Sequence, residues 1–129
     1  MNSVRVWLLV DNFDLAIDFY VRRLKLFEIE SDRNSGADRA VSLNLAKHCK
    51  NFVLDLSNVT HDSLRRKLVG KQWGDAIGIT LPVDNLEELE KNLRESGVEI
   101  VGRQELPYAE WIFVRDPFGN KLSLCEEFH

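Results

Sequence analysis

A few side chains in this sequence could do chemistry, and their spacing limits which chemistry. Arg5 and Trp7 lie two residues apart in Val4-Arg5-Val6-Trp7-Leu8-Leu9-Val10, a run that reads as a β-strand. Successive strand side chains point to opposite faces, so the guanidinium and the indole share one face. Val4, Val6, Leu8 and Val10 make the other face, which is uniformly apolar and reads as core. Further rings come from Trp73, Trp111 and Phe113. Aromatic walls with a few polar groups are the usual lining of a small-molecule site. The strand that carries Trp111 is apolar on both faces, so periodicity leaves its direction open. Ser123 and Cys125 alternate on one face of the last strand. As nucleophiles they would need a base or a cation to activate them. His48, His61 and His129 fall in a hairpin, a connecting segment and the C-terminus, away from both. Cys49 and Cys125 form no CxxC pair, which argues against zinc or dithiol redox work, and Cys125 reads as a packing residue.

Two copies of one strand-to-helix junction position these residues. Val10-Asp11-Asn12 and Val83-Asp84-Asn85 each end an apolar run and open a helical pattern. After the first, Asp11 or Asn12 can cap a helix whose apolar stripe is Phe13, Ala16, Ile17, Tyr20 and Leu24. Three strands are then expected, at 27–31, 40–45 and 52–56, with turns at Asn34-Ser35-Gly36 and Lys47-His48-Cys49-Lys50. After the second junction, Asn85 with Glu88 forms a capping-box pattern, Leu86, Leu89 and Leu93 give the stripe, and Gly97 ends the helix. Strands are expected at 98–101, 111–114 and 121–126, the last two joined by Asp116-Pro117-Phe118-Gly119-Asn120. The strand before this junction, Ile77 to Val83, has Ile77, Ile79, Leu81 and Val83 as its apolar face. A shift of 73 residues maps Arg5 onto Gly78 and Trp7 onto Thr80. Between the halves, Thr60 or Asp62 caps a short helix carrying Leu64 and Leu68 that ends near Gly70.

The expected architecture is therefore α+β: two βαβββ modules in tandem within one domain of 129 residues, forming a cavity between curved mixed sheets. The modules run over 1–57 and 75–129, with a linker over 58–74. That length buries a core without staples. The net charge of −4 provides no basic footprint for nucleic acid, and no segment approaches the about 18 apolar residues of a membrane span. No signal peptide is read at the N-terminus, so a cytoplasmic setting is expected.

The segments "LLVDNFDLAIDFYVRRLKLFEI" and "WIFVRDPFGNKLSL" resemble the opening and the closing hairpin of the vicinal oxygen chelate superfamily. That group includes glyoxalase I, extradiol dioxygenases, fosfomycin-modifying enzymes and bleomycin-resistance proteins. Its metal-dependent members draw four ligands from His, Glu or Gln. The resemblance carries those positions onto Arg5, Asp55, Gly78 and Ser123. Of these, Asp55 alone suits a divalent metal, because a guanidinium has no lone pair to give, glycine has no side chain and a serine hydroxyl is a weak ligand. Arg5 and Asp55 would instead form an internal ion pair, or hold and orient an anionic group of a ligand.

The resemblance thus implies a metal-independent small-molecule-binding protein of bleomycin-resistance type. It would act as a homodimer, without cofactor, and sequester its ligand in an aromatic-lined cavity. Arg5, Trp7, Asp55, Thr80, Trp111 and Ser123 are the expected lining. The alternative is a glyoxalase- or dioxygenase-type lyase or oxidoreductase with an unusual divalent-metal site. A third reading is an enzyme without metal that uses Cys125 or Asp55.

Overall fold

The repeated Val-Asp-Asn junction starts a helix twice because its asparagine is the cap. In the computed structural model, which describes residues 2–35 and 38–128, Asn12 and Asn85 are both extended, and each side chain accepts a backbone N–H. Asn12 Oδ1 takes Leu15 N at 3.0 Å, and Asn85 Oδ1 takes Glu88 N at 3.0 Å. Of the two capping candidates at the first junction, the choice falls on Asn12 rather than Asp11. Gly36 of the expected Asn34-Ser35-Gly36 turn and the C-terminal His129 lie outside the described residues.

The chain forms two compact units, Met1–Val69 and Gly70–His129. The first contains β1 (Val4–Val10), α1 (Phe13–Ile17), a π-helical segment (Asp18–Arg23), β2 (Glu28–Ser35), β3 (Asp38–Leu45), β4 (Cys49–Asn58) and a 3₁₀ turn (Arg65–Leu68). The second contains β5 (Ile77–Pro82), α2 (Leu86–Glu95), β6 (Ile100–Leu106), β7 (Ala109–Arg115) and β8 (Lys121–Glu127). The sheets share one topology. Their orders are β1-β4-β3-β2 and β5-β8-β7-β6, with the outer pairs β1–β4 and β5–β8 parallel and every other pair antiparallel. This is the βαβββ plan twice over.

The central strands carry the cores. In β4, Val53 and Leu54 are fully buried, as are Leu122 and Leu124 in β8 and Ile112 and Val114 in β7. The outer strands differ from expectation. Leu8 and Val10 are buried, but Val4 is 65 % exposed, and Leu9 on the opposite face is buried as well. Burial thus runs along β1 rather than across it, because β1 is an edge strand with a neighbour on one side only. Ile77 at the start of edge strand β5 is likewise exposed.

The helices explain two further differences. The first passes from α-helix into π-helix, with Leu24 N bonded to Phe19 O five residues back at 2.9 Å. The extra residue turns both Phe19 and Tyr20 inward, so Phe19 joins the predicted stripe. Tyr20 then meets Phe19 and Phe27 edge-on, with centroids 5.0 and 5.6 Å apart. The second helix ends as expected at Gly97, which has φ +82°. Val98 N returns to Leu93 O and Gly97 N to Arg94 O, the paired bonds of a Schellman turn. That turn consumes Val98, so β6 begins at Ile100. In the connecting segment Asp62 Oδ1 accepts Leu64 N and Arg65 N, but the cap position of the 3₁₀ turn is Leu64 itself, and Leu64 and Leu68 are exposed instead of packed. Most strands outrun their apolar runs, and β4 does so at both ends. Cys49 and Lys50 belong to it, and the preceding turn is only Ala46–His48.

Candidate functional site

In each sheet, alternation leaves one set of side chains on the face away from the buried Leu and Ile rows. In the first, Trp7 stands in register with Asp55, and Asp55 with Ser42. Arg5 is two residues back on β1 and reaches diagonally to Asp55, with Nε 3.3 Å from Oδ2. Ser42 Oγ donates to Asp55 Oδ1 at 2.6 Å. Glu30 approaches Arg5 Nη2 at 3.6 Å. It can do so because it occupies the irregular step between Ile29 and Ser31, where β2 slips in register. The Arg5 side chain is 45 % exposed and that of Asp55 24 %, so the pair is partly solvated and contributes at most about 1 kcal/mol. Around Trp7, which is 62 % exposed, the face carries one cation against two carboxylates.

In the second sheet, Thr80 stands in register with Ser123, Ser123 with Phe113, and Phe113 with Gly102. Trp7 opposite Asp55 and Thr80 opposite Ser123 are thus the same place in the two halves. Trp111 pairs with Cys125, which places it with Phe113 and Arg115, while Ile112 and Val114 point into the core. The ring of Tyr108 meets Trp111 edge-on at 6.3 Å. Ser123 and Cys125 are buried, whereas Thr80 is exposed. Burial pushes the Cys125 thiol above its ordinary value, and the charge of Glu127 pushes the same way. Both effects disfavour the thiolate that a nucleophile would need.

Two glycines make room for rings. A Cβ on Gly78 would lie 2.0 Å from Cε3 of Trp73, so the indole lies flat against this stretch of backbone. A Cβ on Gly102 would come within 2.9 Å of the Phe113 ring. The donor set therefore does not fit a metal of the expected type. In the first unit, the two carried-over positions are a guanidinium and the carboxylate paired with it. In the second, they are a buried hydroxyl and a glycine whose side-chain space is already filled. No group of three or more His, Cys, Asp and Glu side chains is placed to hold a metal ion among the described residues. Gly78→Ala is expected to dislodge Trp73. The assigned Trp73 indole resonance in a ¹H–¹⁵N spectrum should move while those of Trp7 and Trp111 stay in place. An unmoved Trp73 signal would mean that the backbone yields instead.

Sequence reasoning missed Glu30, Ser42 and a cleft of about 460 Å³ lined by Asp75, Ala76, Ile77, Val101, Phe113, Arg115 and Lys121. The bulge that admits Glu30 leaves no mark in the pattern of β2. Arg115 and Lys121 were within reach, since the turn at 116–120 pairs them and each continues a row of site residues.

No family model and no curated protein sequence matches the chain. Solved structures do. TnmS3, an antibiotic binding protein from a Streptomyces species, is 20 % identical, with 99 % of this chain and 97 % of that one covered at a TM-score of 0.71. A member of the glyoxalase/bleomycin resistance protein/dioxygenase superfamily from Sphaerobacter thermophilus is 22 % identical, with 98 % of each chain covered and a TM-score of 0.73. The trypanothione-dependent glyoxalase I of Leishmania major is 21 % identical, covering 98 % of this chain and 87 % of that one at 0.68. Among the described residues no helix is long and apolar enough to cross a membrane. With its doubled βαβββ plan and these neighbours, the chain has the glyoxalase/bleomycin-resistance fold, that of the vicinal oxygen chelate superfamily.

Proposed function

We propose that the protein binds a small organic molecule on the aromatic faces of its sheets and holds it unchanged, without a catalytic metal. The observation that carries this reading is the filling of the carried-over ligand positions. Arg5 and Asp55 engage each other, and Trp73 covers Gly78. Trp7 and Thr80 stand exposed beside them, with Trp111 and Ser123 completing the face of the second sheet. The likeness to an antibiotic binding protein supports binding, although the likeness to a glyoxalase shows that the same fold also serves catalysis. The raised thiol of Cys125 speaks against the metal-free nucleophilic enzyme. The exposed apolar side chains of Val4, Ile29 and Ile77 favour a homodimer, and the two free cysteines favour a reducing, cytoplasmic setting.

Two measurements test it together. Protein purified without chelator should hold well under one equivalent of divalent metal by elemental mass spectrometry. A near-stoichiometric metal would overturn the reading in favour of a lyase or dioxygenase. In a thermal-shift screen of antibiotics and aromatic amphiphiles, a stabilising compound should bind Trp7→Ala about tenfold more weakly, since losing an aromatic anchor costs more than about 1 kcal/mol. Unchanged affinity would remove Trp7 from the site.

A further inference from the structure

We infer that the cleft on the second sheet is an anion-selective subsite, made for the carboxylate, sulfonate or phosphate of an aromatic or otherwise apolar ligand. This deepens the proposed binding function and rests on it. The cleft lies where β7 runs into β8. Arg115 and Lys121 face each other there in register, one at each end of the Asp116–Asn120 turn. Neither forms an ion pair among the described residues. Arg115 Nη1 donates to Gly119 O at 2.9 Å, and Lys121 Nζ donates to Asp75 O at 3.3 Å. Both contacts use neutral carbonyls, so they aim the two cations without neutralising them. Asp75 is the one carboxylate in the lining, which leaves a net positive charge. An adjoining recess of about 390 Å³ shares Asp75 and Arg115 and adds Lys71, with no further acid. This positive corner belongs to a chain whose net charge is −4.

The rest of the wall is apolar. Phe113, Ile77, Val101 and Ala76 line the cleft beside the cations. Phe113 is held in place because its ring lies over Gly102, where no side chain competes for the space. A fixed ring next to two cations presents separate sites for the two ends of an amphiphilic anion. A guanidinium binds a carboxylate or sulfonate through two parallel hydrogen bonds, and an ammonium adds a point charge. The corner contrasts with the face around Trp7, where carboxylates outnumber cations. One ligand charge is thus preferred at each place.

The test uses 1-naphthoate and its neutral counterpart 1-naphthamide, each titrated into the intact protein and followed by ¹H–¹⁵N spectra. Naphthoate should shift the amides of Ile77, Phe113, Arg115 and Lys121, and bind about three- to tenfold more tightly than the amide, the range of one or two charge-assisted contacts in a solvent-open cleft. Lys121→Gln should remove most of that preference while leaving the amide's affinity unchanged, and Lys121→Arg should restore it. Raising the salt concentration should weaken naphthoate alone. Equal binding of the two probes, or a preference that survives Lys121→Gln, would overturn the inference and leave the proposed binding function standing on the Trp7 face. If neither probe binds and no compound stabilises the protein in the screen above, both fall.

Discussion

Asp116→Ala is expected to lower the unfolding free energy by about 3 kcal/mol, because one carboxylate accepts four of the hydrogen bonds that hold the turn between β7 and β8. Asp116 is buried, and its Oδ1 accepts three backbone N–H groups, from Phe118 at 3.0 Å, Gly119 at 2.9 Å and Asn120 at 2.9 Å. Its Oδ2 accepts Asn120 Nδ2 at 2.9 Å. Truncation leaves Phe118 N and both Asn120 donors without this acceptor, while Gly119 N keeps its bond to Asp116 O at 3.1 Å, and each unsatisfied buried donor costs about 1–3 kcal/mol. Asp116→Asn should be far milder, near 1 kcal/mol, for a reason specific to this turn. The Oδ1 of Asn120 is buried without a partner. If the amide of Asn120 flips, an asparagine at 116 can keep one oxygen on the three N–H groups and donate its own Nδ2 to that orphan. Urea unfolding monitored by tryptophan emission would measure both variants. An Asp116→Ala cost below 1 kcal/mol would mean that water replaces the carboxylate.

Much of this fold is legible in the sequence because its punctuation is local. Asn12, Asn85 and Gly97 act within four residues of themselves, and the Asp-Pro-Phe-Gly-Asn turn closes on its own first side chain. The shift of 73 residues that pairs Trp7 with Thr80 has its counterpart in the registers, which set both opposite the same place on a central strand. The illegible parts depend on neighbours distant in sequence. Val4 and Ile77 look like core by alternation and are exposed, because strand periodicity says nothing about which strand stands at the edge. Phe19 turns inward only because a π-turn adds one residue, and helical periodicity cannot anticipate that.

The site divides the same way. That Arg5 and Asp55 meet follows from which strands run side by side, and that knowledge came from resemblance to a family. Glu30 enters through an irregularity of β2, Trp73 from a loop, and Lys121 and Arg115 across a turn. Of these, the last pair alone could have been found by counting in twos outward from Phe113 and Ser123. Position 78 shows the limit most clearly. Its glycine reads as a lost ligand, yet the structure shows a residue kept small so that an indole can lie against it.

Gly70→Ala should be the other severe substitution, at about 3 kcal/mol or more, and it strikes the same turn from the opposite side. Gly70 has φ +76°, a conformation that costs an L-residue about 1–2 kcal/mol by itself. Its Cβ would also lie 1.8 Å from the carbonyl oxygen of Phe118 and 2.7 Å from the carbonyl carbon. Those are backbone atoms, and the peptide they belong to is fixed by the N–H of Gly119 bonded to Asp116. Rotating a side chain cannot relieve the overlap, so either the turn or the segment at Gly70 must shift. Gly74→Ala is the matched control, since Gly74 has φ +62° and nothing within 4 Å of its Cβ. It should show the conformational cost alone, and the difference between the two alanine variants measures the collision. In Asp116→Ala the turn is already free to move, so adding Gly70→Ala there should cost clearly less than it does in the wild type. Full additivity across that cycle would show that Gly70 and Asp116 restrain separate parts of the turn.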